Sequence, residues 1–581
     1  MGSIVSRGRR AATSGGSADP AAGQGPHRAA GRAVAPRGSR RATWALGAVC
    51  ALLAAGLFSW MSVGQWERWD SPSWDLAIFS QLAQDYAHLR APIVDIKGHG
   101  FNLLGDHFHP LLILLGPVWA LWPSGLAVMI TQDALLGLGA GILAGFGTRF
   151  LGWARGLCLG TAFTLSFGVL EAVRVQFHEV AFAVPLLAMS LCLLALRRLR
   201  AAAGWAAPLV FVKEDLGITV AVIGLVILWT ALRAPAADGH GAGPEPGSGS
   251  ASEGSGEQRS ASGIRPAPGL CSAAAHRVRG ALRRPGAPAG IILACWGLAW
   301  SVLAVSVILP ALNPHGTFDY ADKVDVPRAL GDPLQAFAQL FTPEAKLRTW
   351  GLLLLSGAVV FLRSPLSWVG LPTLVWRFLS PNEGYWGPTW HYSLVLMPVL
   401  FAAVFDAALR ARAAAPAQRR RREVVHQGDA GDPGASGRAA VLRSRARATV
   451  DAVCAAGPVL TAVLAVALVP SGPLAEAWRQ REPDAAQRQV IQARQRAVEH
   501  VPEGVSVAAD LSVLTRLVPG RDVHWIGTAG DPAPEYLVLQ TDGATWGGRG
   551  PADPGAYARE HCGASYDVVF REQSVVVLRR A

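Results

Sequence analysis

Charge is scarce in this chain. Only 16% of its 581 residues are Asp, Glu, Lys or Arg, where a soluble protein carries about 25%. The shortage is concentrated in long uncharged runs, among them residues 44–64, 291–312 and 450–472. Each supplies roughly the 20 apolar residues that one bilayer crossing requires. Lipid offers no partner to backbone N–H and C=O groups, so these runs must be helices. Their number excludes a soluble globule. Lysine is scarcer still: four of the 53 basic residues are Lys and the rest Arg, the bias of a GC-rich genome. The seven cysteines include no CxxC pair and lie mostly in apolar runs, which suggests neither a zinc site nor a disulfide framework. No compact signal peptide is expected, because the first apolar run begins beyond residue 40.

What charge there is lies unevenly. Residues 1–41 hold eight arginines against one acid, Asp19, in a background of Gly, Ala and Ser. They read as a disordered basic tail, cytoplasmic by the positive-inside rule rather than bound to nucleic acid. The same rule makes four more regions cytoplasmic: Arg149 with Arg155; Arg197, Arg198 and Arg200; a Gly/Ser/Pro-rich disordered linker at 234–289; and an Arg-rich loop at 410–448. The transmembrane core is then 42–409, the last transmembrane helix is 449–471, and 475–581 lies outside. The tail reads as a small α/β domain, with a helix at 487–498 and strands at 505–509, 523–526, 536–539, 567–570 and 574–578. The expected fold is an all-α polytopic transmembrane bundle of about 10–12 spans with a small C-terminal extracytoplasmic α/β domain, multi-pass in the cell membrane. Residues 111–122 rise only about 18 Å as a helix, so a re-entrant or interfacial role is expected there.

On this layout every polar cluster inside the apolar region falls on the outer side. Asp75 follows Ser71-Pro72, a cap and first-turn pair for a helix, and as a first-turn acid it faces the helix dipole. Asp106, His107 and His109 precede an apolar helix. A carboxylate and two imidazoles so close can hold a divalent metal or act as base and orienting group. A polar helix cap is the plainer alternative. His178-Glu179 separates two spans. Lys213-Glu214-Asp215 interrupts an apolar stretch, and ionisable groups at such depth mark functional sites. His391-Tyr392 opens a span. For the last three the plainer alternatives are a polar turn, internal Lys–acid pairing and an interfacial aromatic anchor.

Taken in order, WDLAIFSQ, LGDHFHP, QFHE, KED and WHY resemble the bacterial membrane-protein family carrying domain of unknown function 2079, over residues 69–409. The resemblance implies a multi-span membrane protein and brings no activity with it. More loosely, the layout is similar to multi-span polyprenyl-phosphate-sugar-dependent (GT-C type) glycosyltransferases, which place an acid in the first outer loop and a soluble domain at the outer C-terminus. The chain departs from that pattern in lacking a paired Asp-Glu in the loop and any acceptor motif downstream.

That second resemblance implies a glycosyltransferase acting on a polyprenyl-phosphate sugar in the membrane lipid. Asp75, Asp106 or His107 would be catalytic. His178, Glu179, Lys213, Glu214, Asp215, His391 and Tyr392 would bind substrate, and Asp106, His107 and His109 would hold a divalent metal. A transporter or flippase is the first alternative, suggested by the broken apolar stretch around Lys213. A non-enzymatic envelope protein is the second.

Overall fold

The computed structural model describes residues 39–233, 282, 284–320, 326–428, 435–528, 531–542, 544–545 and 548–581. The basic tail and the long linker fall almost entirely outside these residues.

Five helices are long and apolar enough to cross a membrane: Arg40–Glu67, Gly125–Leu151, Ala287–Leu312, His391–Pro416 and Val441–Arg479. A sixth crossing arises if the bent pair Trp153–Thr164 and Phe167–Arg174 is one span. Four shorter apolar helices accompany them: Pro110–Leu121, Glu179–Ala195, Leu199–Phe211 and Leu216–Leu232. The expected 10–12 spans are therefore reached only by counting the short helices as crossings. The His391–Pro416 span runs through the centre, with 94% of its apolar window buried, against 28%, 22% and 28% for Arg40–Glu67, Ala287–Leu312 and Val441–Arg479. The outer three expose Leu and Val, as lipid-facing helices do.

Small residues set how closely these helices approach. A Cβ at Gly217 would stand 2.5 Å from the carbonyl oxygen of Gly297, and one at Gly297 would stand 2.3 Å from that of Gly217. Backbones can touch like this only where neither residue has a side chain. The contact fixes the start of Leu216–Leu232, and with it the preceding Lys213-Glu214-Asp215 turn. Ser301 Oγ completes the join by donating to the Glu214 carbonyl at 2.7 Å.

The tail is a five-stranded sheet built from β1 (Ser506–Ala509), β2 (Asp522–Trp525), β3 (Tyr536–Gln540), β6 (Tyr566–Glu572) and β7 (Val575–Arg580), in the order β2-β1-β3-β7-β6. A two-residue pair, β4 (Ala544–Thr545) and β5 (Gly548–Arg549), stands apart from it. β1 runs parallel to β2 and β3, while β3, β7 and β6 are antiparallel. β3 is buried throughout, as a central strand covered on both faces must be. One face packs Leu537, Leu539, Val576 and Leu578 under the helix Pro554–Cys562, which the sequence did not suggest. The other carries the helix Ala485–Glu499, started by an Asp484/Gln487 capping box.

This sheet docks on the Glu67 end of the first span. The Arg516 guanidinium lies 3.3 Å from the Trp66 ring centroid and 4.4 Å from that of Trp69, and it donates to the Trp66 carbonyl. Gln81 Nε2 donates to Val523 O at 3.1 Å, while its Oε1 accepts from Ile96 N at 3.2 Å. Trp74 meets Trp525 edge-on at 5.9 Å. The arginine-rich connections gather at the other end: Trp44, near the start of the first span, packs on Phe146 near Arg149, and Arg284 donates to the Leu232 carbonyl.

Candidate functional site

The five polar clusters meet on the tail's side of the membrane unit. The helix carrying Asp75 begins at Asp75 itself, with Trp74 as its cap residue. Ser71 and Pro72 therefore do not start it. Ser73 does the local work, donating its hydroxyl to Asp75 Oδ2 at 2.5 Å and accepting from Asp75 N at 3.3 Å. His178 Nε2 stands 3.5 Å from Asp75 Oδ2, within reach of an ion pair but too long for a well-formed hydrogen bond. The His178 ring stacks on His391 with centroids 3.6 Å apart. Beside His178, Glu179 accepts from Lys213 Nζ at 2.6 Å.

The chain of contacts continues. Glu214 takes His107 Nδ1 at 2.8 Å on one oxygen and Phe108 N at 3.0 Å on the other. Asp106 pairs with Lys97 Nζ at 3.0 Å and accepts from the Tyr320 hydroxyl at 3.1 Å. Tyr320 also stacks on His107, with centroids 4.6 Å apart. Lys97 lies 5.6 Å from the ring of Trp74, next to Asp75. The contacts thus close into a ring: Asp75, His178-Glu179, Lys213-Glu214, His107-Asp106, Lys97, and back to Trp74-Asp75.

Two positions in the site hold backbone that only glycine adopts freely. Gln176 has φ +69° and Trp390 has φ +68°, just before His178 and His391. Such conformations cost about 1–3 kcal/mol each and persist where surroundings enforce them. For Trp390 the surroundings are visible. Arg377 is fully buried and donates to the carbonyls of Tyr385, Gly387 and Tyr392 at 2.9, 3.0 and 3.2 Å. It binds the loop that presents His391 and Tyr392.

Exposure sorts the charges. The side chains of Asp75, His107, Lys213 and Lys97 keep 30%, 20%, 17% and 17% of their surface accessible. Glu179, Glu214 and Asp106 keep 4%, 6% and 10%. Three carboxylates are thus buried behind three cations as counter-ions, and Asp75 is the open one. No partner for its Oδ1 is found among the described residues. Asp215 lies behind the ring with Oδ1 buried and without a hydrogen-bond partner.

Electrostatics agree with this sorting. Burial works against the charge of Asp106, but His107 and Lys97 outweigh it and hold the carboxyl below its usual range. For Asp75, His178 and Ser73 likewise outweigh burial and keep it ionised at neutral pH. Burial and Lys213 oppose a proton on His107, yet Glu214 and Asp106 prevail and raise its pKa. His109 differs, since burial pushes it down to about 4. Its Nδ1 is buried without a partner and its ring packs edge-on to Phe79 at 6.2 Å.

The expected metal set does not fit this geometry. Asp106, His107 and His109 turn to three different environments, namely Lys97, Glu214 and Phe79. Among the described residues no three His, Cys, Asp or Glu side chains are arranged to hold a metal ion.

Sequence reasoning missed Lys97 and Tyr320. Tyr320 joins from 214 positions away, with no local pattern to announce it. Lys97 did carry a signal, being one of four lysines in an arginine-rich chain. Two of the four, Lys97 and Lys213, stand in this ring.

None of the curated proteins compared with the chain matches it. A family model described as "Predicted membrane protein (DUF2079)" matches residues 68–519. The match covers the first four motif clusters and the WHY cluster, continues through the arginine-rich loop beyond residue 409, and reaches into the C-terminal tail. By sequence, by its apolar helices and by the order of its site motifs, the chain belongs to this family of predicted membrane proteins, DUF2079.

Proposed function

We propose that the chain is a membrane enzyme that transfers a sugar from a polyprenyl-phosphate donor, with inversion, at the extracytoplasmic face. The observation that carries this reading is the ring with one open carboxylate beside three cations. Asp75 Oδ1 accepts the proton of an acceptor hydroxyl. The hydroxyl oxygen bonds to the anomeric carbon as that carbon's bond to the phosphate oxygen breaks. The electron pair leaves with the polyprenyl phosphate, whose oxygens accept hydrogen bonds from the accessible N–H groups of Lys213, Lys97 and protonated His107 in a partly dehydrated setting. Asp106, the other candidate for the base, holds Lys97 in place. The face is supported by the positive-inside rule, because the connections carrying Arg149, Arg155, Arg197 and Arg284 lie at the end away from the ring.

The test is transfer from a labelled polyprenyl-phosphate sugar in reconstituted vesicles. Wild type should transfer, and Asp75→Asn should lose on the order of 10²–10⁴-fold in rate, the usual cost of a positioned general base. A wild-type protein without transfer, or an Asp75→Asn variant at full rate, refutes the assignment. The break at Lys213 between Leu199–Phe211 and Leu216–Leu232 favours transport as a second reading, because broken helices line substrate paths in transporters. Uptake of the labelled lipid-sugar across the same vesicles, without transfer, would select it.

A further inference from the structure

A third lysine, Lys346, stands apart from the ring and is 3% exposed. It is the third residue of the helix Glu344–Ser356, where a cation opposes the helix dipole. It therefore does not serve that helix. Its Nζ donates to the carbonyls of Gln339 and Phe378 at 2.9 and 2.7 Å and lies 4.1 Å from the Trp386 ring centroid. These contacts use two of its three N–H groups and leave its charge without a carboxylate. Glu344, on the same turn, is engaged with Arg348 at 2.8 Å. Asp332 caps the neighbouring helix Pro333–Gln339 through Gln335 N at 2.9 Å. Among the described residues no ion pair reaches Lys346.

Lys346 lines a cavity of about 420 Å³ whose wall includes Gln335, Gln339, Ser380 and Trp386, together with Asp332, one of whose oxygens is taken by Gln335 N. Amide and hydroxyl donors around a buried cation form a setting for an anion. A buried charge is costly unless paired, and the cavity leaves room for the missing partner. The helix Pro333–Gln339 above it leaves Leu334 and Phe337 bare at 78% and 60% exposure, as a helix lying in a membrane surface does.

We propose that this cavity binds a phosphate group, with Lys346 as its counter-charge, at the level where phospholipid headgroups lie. The proposal does not depend on the glycosyltransferase reading. Native mass spectrometry of the full chain in detergent tests it, with phosphatidylglycerol, phosphatidylcholine and inorganic phosphate as probes. Wild type should bind phosphatidylglycerol at least about tenfold more tightly than phosphatidylcholine, and Lys346→Met should remove that preference. Displacement by inorganic phosphate would identify free phosphate as the natural source, and resistance to it a lipid headgroup. If Lys346→Met fails to fold, Gln335→Glu decides. It adds a negative charge to the wall without touching the Lys346 contacts, and should weaken binding by a similar factor. Unchanged phosphatidylglycerol binding in a folded Lys346→Met or in Gln335→Glu overturns the proposal, as does a wild type that binds neither phosphatidylglycerol nor phosphate.

Discussion

The turn that carries Asp75 and the turn that carries Asp106 have much in common. Each sets a carboxylate ahead of apolar sequence at the tail's end of the membrane unit, and each has a histidine within a few ångströms. They differ in how many partners each carboxylate has. Asp106 is held by Lys97 and Tyr320 and is almost closed to solvent. Asp75 has Ser73 on one oxygen and His178 at the edge of reach, and its other oxygen faces accessible space. One carboxylate is already satisfied and the other has capacity to spare. A spare acceptor is what a base needs, whereas a satisfied one positions something else. The local sequence does not separate the two, because one partner of each, His178 for Asp75 and Tyr320 for Asp106, comes from a distant part of the chain.

The comparison breaks most sharply at Asp75. Asp75→Asn is expected to cost 10²–10⁴-fold in transfer rate with little loss of stability, while Asp106→Asn should keep most of the rate and lower the thermal midpoint. The opposite pattern in a paired activity and melting experiment would exchange their roles.

Lys213→Met comes next. It leaves Glu179 buried without its cation, a situation that costs about 3–5 kcal/mol. Denaturant unfolding should show this loss, and Lys213→Met with Glu179→Leu should recover most of it without recovering activity. If the double variant is as unstable as the single, the pair is not what stabilises that turn.

Removing Arg516 tests the roof over the Asp75 turn. Its contact with Trp66 and Trp69 is partly desolvated, where a cation–π interaction reaches about 2 kcal/mol. Arg516→Ala should make the tail more sensitive to limited proteolysis. Protection equal to wild type would mean that the sheet docks without this contact.

The smallest effect concerns pH on the Asp106 side. His107 has a raised pKa, so its contribution to stability is complete below the ordinary imidazole value of about 6.5 and is lost as pH rises through the raised value. Asp106 has a lowered pKa, so its contribution is present above the ordinary carboxylate value of about 3.9 and is lost as pH falls through the lowered value. Stability should therefore be greatest between about pH 4 and 6.5. Glu214→Gln should flatten the alkaline limb of a melting-temperature profile. An unchanged limb would show that His107 does not titrate with folding.

Much of this molecule was legible in its sequence. The lack of charge gave the membrane class, and alternating β-branched runs gave all five strands of the main sheet to within a residue or two. The site motifs were legible because an ionisable residue in an apolar stretch stands out. Three things were not legible. Ser71-Pro72 suggested a helix start that Ser73 and Asp75 supply instead, since a cap depends on backbone geometry as well as residue type. The centrality of His391–Pro416 was hidden, because a helix apolar on every side reads alike whether protein or lipid surrounds it. The closing of the ring was hidden, although the meeting of its clusters was not, because Lys97 and Tyr320 acquire meaning only through Asp106.

The docking of the sheet has a consequence for the order of assembly. A ribosome delivers Trp66, Trp74 and Gln81 more than 400 residues before Arg516, Val523 and Trp525, which they contact. Until the last strands emerge and pair, the Asp75 turn has no roof, and Gln81 has only one of its two partners. A polypeptide stopped after its final span would hold every residue of the ring and still lack the surface that fixes one side of it. Completion of the site is thus timed by the end of translation, and a truncated product is left unfinished at its earliest-made corner.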